Sequence, residues 1–149
     1  MRALVSMRRK LAAARRLSPA DWVILAEALW EIARAELLVA TRRYEVWRPA
    51  FERAAVADET RADPRLVGLF ETAAANYVRP VGCLQRSIAL RSMLVRRGYA
   101  AQVRFGVRRD GTAAVDAHAW VEVGGHPAEA RSVLRSQYAP LERAAGEAP

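Results

Sequence analysis

Apolar residues recur at helical spacing through most of the first hundred positions of this chain and then switch to alternation. Trp22, Leu25, Ala26, Leu29, Ile32 and Ala33 fall three or four apart, the spacing of one helix face. Glu27, Glu31 and Arg34 fall largely on the other side. Ser18-Pro19-Ala20-Asp21 opens the stretch with a hydroxyl cap, a proline at the first helical position and a carboxylate three residues after the cap. Each of these satisfies or removes an amide that the first turn leaves unbonded. The pattern predicts a helix from Pro19 to about Arg43, and a shorter one after Pro49 through "AFERAAVA". The charged stretch "DETRAD" reads as a loop. Asp63-Pro64 opens another helix by the same logic, with Val67, Phe70, Ala74 and Tyr77 as its apolar stripe.

Arg79-Pro80-Val81-Gly82 breaks that helix and delivers the chain to Cys83. From Cys83 to Arg97 the spacing is helical again: Cys83, Ser87, Leu90 and Leu94 share a face, with Leu84, Ile88 and Val95 beside it. Gly98 is the expected left-handed stop, and Arg96 and Arg97 suit the negative end of the helix dipole. The period then changes. Val103, Phe105 and Val107 alternate with Gln102, Arg104 and Arg108, which predicts a half-buried strand. Asp110-Gly111 is a hairpin turn, "AVDAHAWVEV" the return strand, and Gly124-Gly125 a second turn toward a short strand from His126 to Glu129. Helices followed by a meander predict an α+β fold in a single domain. Residues 1–78 form its helical part, 79–138 its core and 139–149 a flexible tail.

With 52% hydrophobic residues in 149, a packed core is expected. The net charge of +8 is carried by arginine far more than lysine, and it suits an acidic partner. No aromatic-interleaved basic motif, zinc-finger spacing or Gly-rich phosphate loop points to nucleic acid. One cysteine makes neither an internal disulfide nor a cysteine metal cluster. The apolar stretch from Trp22 to Ala40 is interrupted by charges and does not read as a membrane span. The N-terminus lacks a signal-peptide core, and the expected location is cytoplasmic.

Within that frame, the single cysteine and one of the two histidines stand out. Cys83 opens a helix, where unbonded backbone N–H groups stabilise a thiolate. Its own N–H is available to a substrate oxyanion, and Gly82 beside it lets an extended peptide approach. His118 lies in the middle of the return strand. Period two puts it on a face with Asp116, Trp120 and Glu122, opposite Val115, Ala117, Ala119, Val121 and Val123. A buried cysteine in an alanine-rich helix is most often a small hydrophobe, and a strand histidine is most often structural. Together, a nucleophile on a helix N-terminus and a base on the following sheet form the layout of papain-like and transglutaminase-like cysteine enzymes.

"CLQRSIALRSMLVRRGYAAQVRFGV" followed by "AHAWVEVGG" resembles the lasso-peptide maturation proteases, which are transglutaminase-like leader peptidases. The resemblance covers roughly Pro80 to Tyr138, and "SPADWVILAEALWEIARAELLV" resembles their helical N-terminal part. It implies that Cys83 is the nucleophile and His118 the base. It also implies an acid about a dozen residues after the histidine, where this chain has Ala130, with Glu129 one residue early. A one-residue offset reverses the face of a regular strand, so Glu129 serves as third member only through a bulge, short turn or loop. Asp116, two residues from His118 on one strand and so about 7 Å away, is the alternative; a Cys–His dyad is a third. Trp120 and Glu122 are expected in the cleft wall or the packing, and His126 on the surface.

The resemblance implies removal of the leader from a lasso precursor peptide, with no cofactor or metal. It also implies a small leader-recognition protein and an ATP-dependent lasso cyclase as partners. A transamidase of the same fold and a non-catalytic binding module are the competing readings.

Overall fold

Ser18 caps the first helix with the reciprocal bonds its sequence calls for. Its Oγ accepts the Asp21 amide at 3.2 Å, and Asp21 Oδ2 accepts the Ser18 amide at 2.8 Å. This helix, α1, spans Pro19–Ala40. It ends short of Arg43 at Thr41, whose hydroxyl donates to the Leu37 carbonyl at 2.8 Å and so competes with the backbone ladder. The computed structural model describes residues 14–41, 61–109, 115–129 and 139–140. The helix expected after Pro49 and the Asp110-Gly111 turn lie outside the described residues.

The buried face of α1 is not the one its spacing predicts. Leu25 and Ile32 go inside, but so do Asp21, Ala28, Glu31 and Ala35, while Trp22, Ala26, Leu29 and Ala33 are exposed. The helix is apolar nearly all round, so periodicity alone does not choose a face. Two other features do. Ala28 and Ala35 let neighbouring helices approach closely, and the carboxylates on that side find arginines on the elements they face. Glu27 Oε1 pairs with Arg96 Nη2 at 2.6 Å, and Glu31 Oε1 with Arg96 Nη1 at 2.8 Å. A buried carboxylate is tolerable only when bonded in this way.

Asp63 caps the second helix, α2 (Pro64–Ala75), by accepting the Arg65 amide at 2.8 Å. Leu66, Val67, Leu69, Phe70, Ala73 and Ala74 are buried. Asp21 at the head of α1 pairs with Arg65 at 2.6 Å, and Glu36 near its foot pairs with Arg79 and Tyr77, each at 3.0 Å. The two helices therefore run parallel. The third helix, α3 (Cys83–Arg96), ends as expected at Gly98, whose φ of 87° any Cβ would oppose. It is the middle layer, with α1 on one side and the sheet on the other. Phe70, Ile32, Leu90, Met93 and Leu94 are fully buried between the layers, each contributing roughly 1.5–3 kcal/mol of transfer free energy.

The sheet is antiparallel, in the order β3-β2-β1-β4. Strand β1 (Ala101–Arg109) pairs with β2 (Val115–Val123) so that Val103 faces Val121, Phe105 faces Ala119 and Gly106 faces His118. Ala101, Val103, Ala119, Val121 and Val123 belong to the core beneath α3. Gly124 and Gly125, at φ 57° and 76°, form the two-residue turn into β3, which is only His126–Pro127. The strand expected to reach Glu129 is regular only over these two residues, although the Ala128 amide still donates to the Val121 carbonyl at 2.9 Å. A strand that the sequence pattern did not predict, β4 (Ala139–Pro140), pairs with the other edge of β1 through Gly106 and Val107. The α+β class holds.

Candidate active site

Cys83 is the first residue of α3, partly buried against the core. Unlike the starts of α1 and α2, this helix start has no side-chain cap, because its cap residue is Gly82. Gln85 folds back toward Gly82, and a Cβ there would meet Gln85 Oε1 at 2.5 Å. The first-turn amides of α3 are thereby left without a side-chain acceptor, the arrangement that favours an anion at a helix start.

His118 lies half-buried on β2. Its ring stacks on Trp120 with centroids 6.3 Å apart and planes at 21°, as expected for residues two apart on one face. Burial holds its pKa below the ordinary 6.5, and the Asp116 charge pulls the other way, so the neutral imidazole, the form that accepts a proton, is favoured. Trp120 Nε1 donates to Glu122 Oε1 at 2.9 Å, and Glu122 Oε2 accepts from Arg104 Nε at 3.3 Å. Trp120 and Glu122 are both buried, so they form a bonded shelf behind the imidazole. Arg104, directly across from Trp120, was not singled out from the sequence; its only sequence signal was its place on the polar side of β1.

Two geometric relations decide what this layout brings together. After Gly98 the chain turns back from α3 into β1, and α3 packs along β1 and β2. A 14-residue helix is about 21 Å long and a strand rises about 3.3 Å per residue, which sets Cys83 about six residues into β1. That is the level of Val107, beside the Gly106–His118 pair. By this estimate the start of α3 and the Gly106–His118 pair lie toward the same end of the sheet. Alternation, however, turns His118 to the face opposite Ala119 and Val121, which α3 covers.

The remaining candidates separate clearly. Asp116 is exposed and pairs with Arg108 Nη2 at 3.2 Å. Glu129 is buried. The Ala128 amide donates to the Val121 carbonyl at 2.9 Å, one residue beyond the last β2–β3 pair. Glu129 lies just after the end of β3, in a bend rather than a regular strand. His126 is exposed, as expected. Ser87, one turn after Cys83, is fully buried, and its Oγ has no hydrogen-bond partner among the described residues. No group of three or more His, Cys, Asp or Glu able to hold a metal occurs among the described residues. Likewise, no described helix is long and apolar enough to cross a membrane.

Neither the curated proteins nor the solved structures searched gave a match. The family profile of the Transglutaminase-like superfamily matches residues 22–143, from the exposed face of α1 through the Cys83 helix and the whole described sheet. The chain belongs to the Transglutaminase-like superfamily.

Proposed function

We propose that this protein is a cysteine peptidase that removes the leader from a lasso-peptide precursor in the cytoplasm. The reaction requires the His118 imidazole to reach the Cys83 thiol around the end of the sheet, past the alternation that turns it to the face away from α3. It then accepts the thiol proton, and the thiolate attacks the scissile carbonyl carbon. The oxyanion is met by the uncapped first-turn amides of α3. Collapse expels the amine with the proton from His118 and leaves a thioester, which water, deprotonated by the same imidazole, hydrolyses. Glu129 orients the imidazole. The observation that carries this reading is the uncapped helix start at Cys83 in a superfamily domain that also supplies a half-buried strand histidine. The leader specificity comes from the resemblance of "CLQRSIALRSMLVRRG" and "AHAWVEVGG" to the lasso maturation proteases, as do a leader-recognition protein and an ATP-dependent cyclase as partners.

The test is direct. The full chain is incubated with the precursor and the recognition protein, and the products are weighed by mass spectrometry. The expected product is a leader with a free carboxylate. Absence of cleavage overturns the reading. Superfamily membership is equally compatible with a transamidase, which would instead join an added primary amine to the leader and show the corresponding mass.

A further inference from the structure

Among the described residues Arg91 is the one buried cation, at 8% exposure. The buried acids Asp21, Glu31 and Glu122 are each met by an arginine. Arg91 has no such counterpart: it joins no ion pair among the described residues, and its Nε has no hydrogen-bond partner there. Burial holds its pKa below the ordinary arginine value, and no carboxylate raises it as Asp21 raises that of Arg65. Arginine cannot shed its proton to escape this, and a buried charge without a partner destabilises the fold.

Its place on α3 shows where a partner can reach it. Cys83, Ser87 and Arg91 are four apart, so they form one row on the helix surface, with neighbouring Cβ atoms about 5–6 Å apart. Arg91 stands about 12 Å down the axis from Cys83. Helical side chains tilt toward the N-terminus, which turns the guanidinium back toward Ser87 and the thiol. Ser87, between them, is fully buried, and its Oγ has no hydrogen-bond partner either. Two unsatisfied donors thus follow the thiol along one row. Leu84, seven residues before Arg91 and so on the same side of the helix, is only half-buried, as is Cys83. The row therefore opens to solvent at the uncapped start of α3. A guanidinium beside a hydroxyl donor is the complement of a carboxylate.

We propose that Arg91 and Ser87 form a subsite of the cleft that takes the carboxylate of an Asp or Glu side chain in the substrate peptide. The subsite rests on the reading of Cys83 as the nucleophile and deepens it, by naming which peptides are accepted. An extended peptide advances about 3.3 Å per residue, so the acid lies about two to four residues from the scissile bond. A neutral side chain at that place leaves the guanidinium desolvated and unpaired, and this penalty selects against it. The net charge of +8 favours the approach of an acidic peptide.

The experiment pairs chain variants with peptide variants. The full chain and its Arg91→Met variant are given the precursor, and versions of it in which each Asp or Glu within about four residues of the cut is replaced by its amide. At one position the native chain should lose about tenfold or more in kcat/KM, as for loss of a hydrogen bond to a charged group. Arg91→Met should cut the acid and amide forms alike. Melting temperatures are read on the same proteins. Arg91→Met should melt higher than the native chain, because an unpaired buried charge is gone. Acetyl-Glu-amide should raise the melting temperature of the native chain and not that of Arg91→Met, and acetyl-Gln-amide should raise neither. Equal discrimination by native and Arg91→Met chains overturns the proposal, as does a precursor with no acid that near the cut. Lower melting temperatures in both Arg91→Met and Arg91→Leu overturn it too, since the guanidinium would then be holding the fold. So does inorganic phosphate raising the native melting temperature where acetyl-Glu-amide does not. Failure of the peptidase reading is separate: the Arg91-dependent effect of acetyl-Glu-amide then persists without precursor cleavage.

Discussion

The starts of α1 and α3 are built to opposite rules. At Ser18 the first-turn amides are bonded by a hydroxyl and a carboxylate, proline replaces another, and Asp21 is tied down by Arg65. At Gly82 there is no side-chain cap and no proline, and the first side chain is a thiol. A helix start that only has to hold the fold is closed. The one proposed to meet a developing negative charge is left open, at some expense of stability. Each prediction below widens or erases that difference.

The largest effect is expected from removing the thiol. Cys83→Ala should abolish precursor cleavage and leave the circular dichroism spectrum and melting temperature nearly unchanged; cleavage by a folded Ala variant would end the cysteine-peptidase reading. Next comes Glu129, the proposed third member. Glu129→Gln should slow cleavage strongly with little loss of fold, and loss of an orienting carboxylate costs up to about 10⁴ in rate in serine proteases. Asp116→Asn, which alters an exposed Arg108 pair, should cost far less. The reverse order would make Asp116 the third member, and two silent variants would leave a Cys–His dyad.

The caps themselves give smaller effects. Ser18→Ala removes the α1 cap and should lower stability by about 1 kcal/mol, seen in denaturant midpoints, with the rate at saturating precursor unaffected. Gly82→Asp supplies the cap that α3 lacks. It should raise stability by a few tenths of a kcal/mol once Gln85 moves aside, yet slow both cleavage and iodoacetamide labelling of Cys83, because a carboxylate then competes for the first-turn amides. Faster labelling in that variant would remove the open-start argument.

The smallest effect is on pH. Burial keeps the His118 pKa below 6.5 in the fold, so the unfolded chain binds the proton more readily. Its stabilising contribution is complete above that value and is lost as pH falls through it. Asp21, Glu27 and Glu36 shift the other way, held down chiefly by hydrogen bonds from Arg65, Arg97 and Arg79. Their contribution is present above the ordinary carboxylate values of 3.8 and 4.5 and is lost as pH drops below them. Two windows of acid destabilisation should therefore appear. His118→Gln should flatten only the upper one, in urea titrations from about pH 7 to about pH 5; an unchanged slope there would assign that window to another group.

The sequence by itself determined what is written in local chemistry. Both capped helix starts, the glycine stop at Gly98, the Gly124-Gly125 turn, the paired strands and the face shared by His118, Trp120 and Glu122 are properties of neighbouring residues and their periods. The Cys83 and His118 words also pointed toward the superfamily that the chain belongs to. What only the tertiary structure decided was which face of α1 turns inward, since an all-round apolar helix offers two and the choice fell to Ala28, Ala35 and arginines on distant elements. It decided as well that β4 pairs with the far edge of β1, and that the Ala128 amide bonds the Val121 carbonyl beyond β3. Such pairings join residues far apart along the chain, and no pattern within one segment contains them.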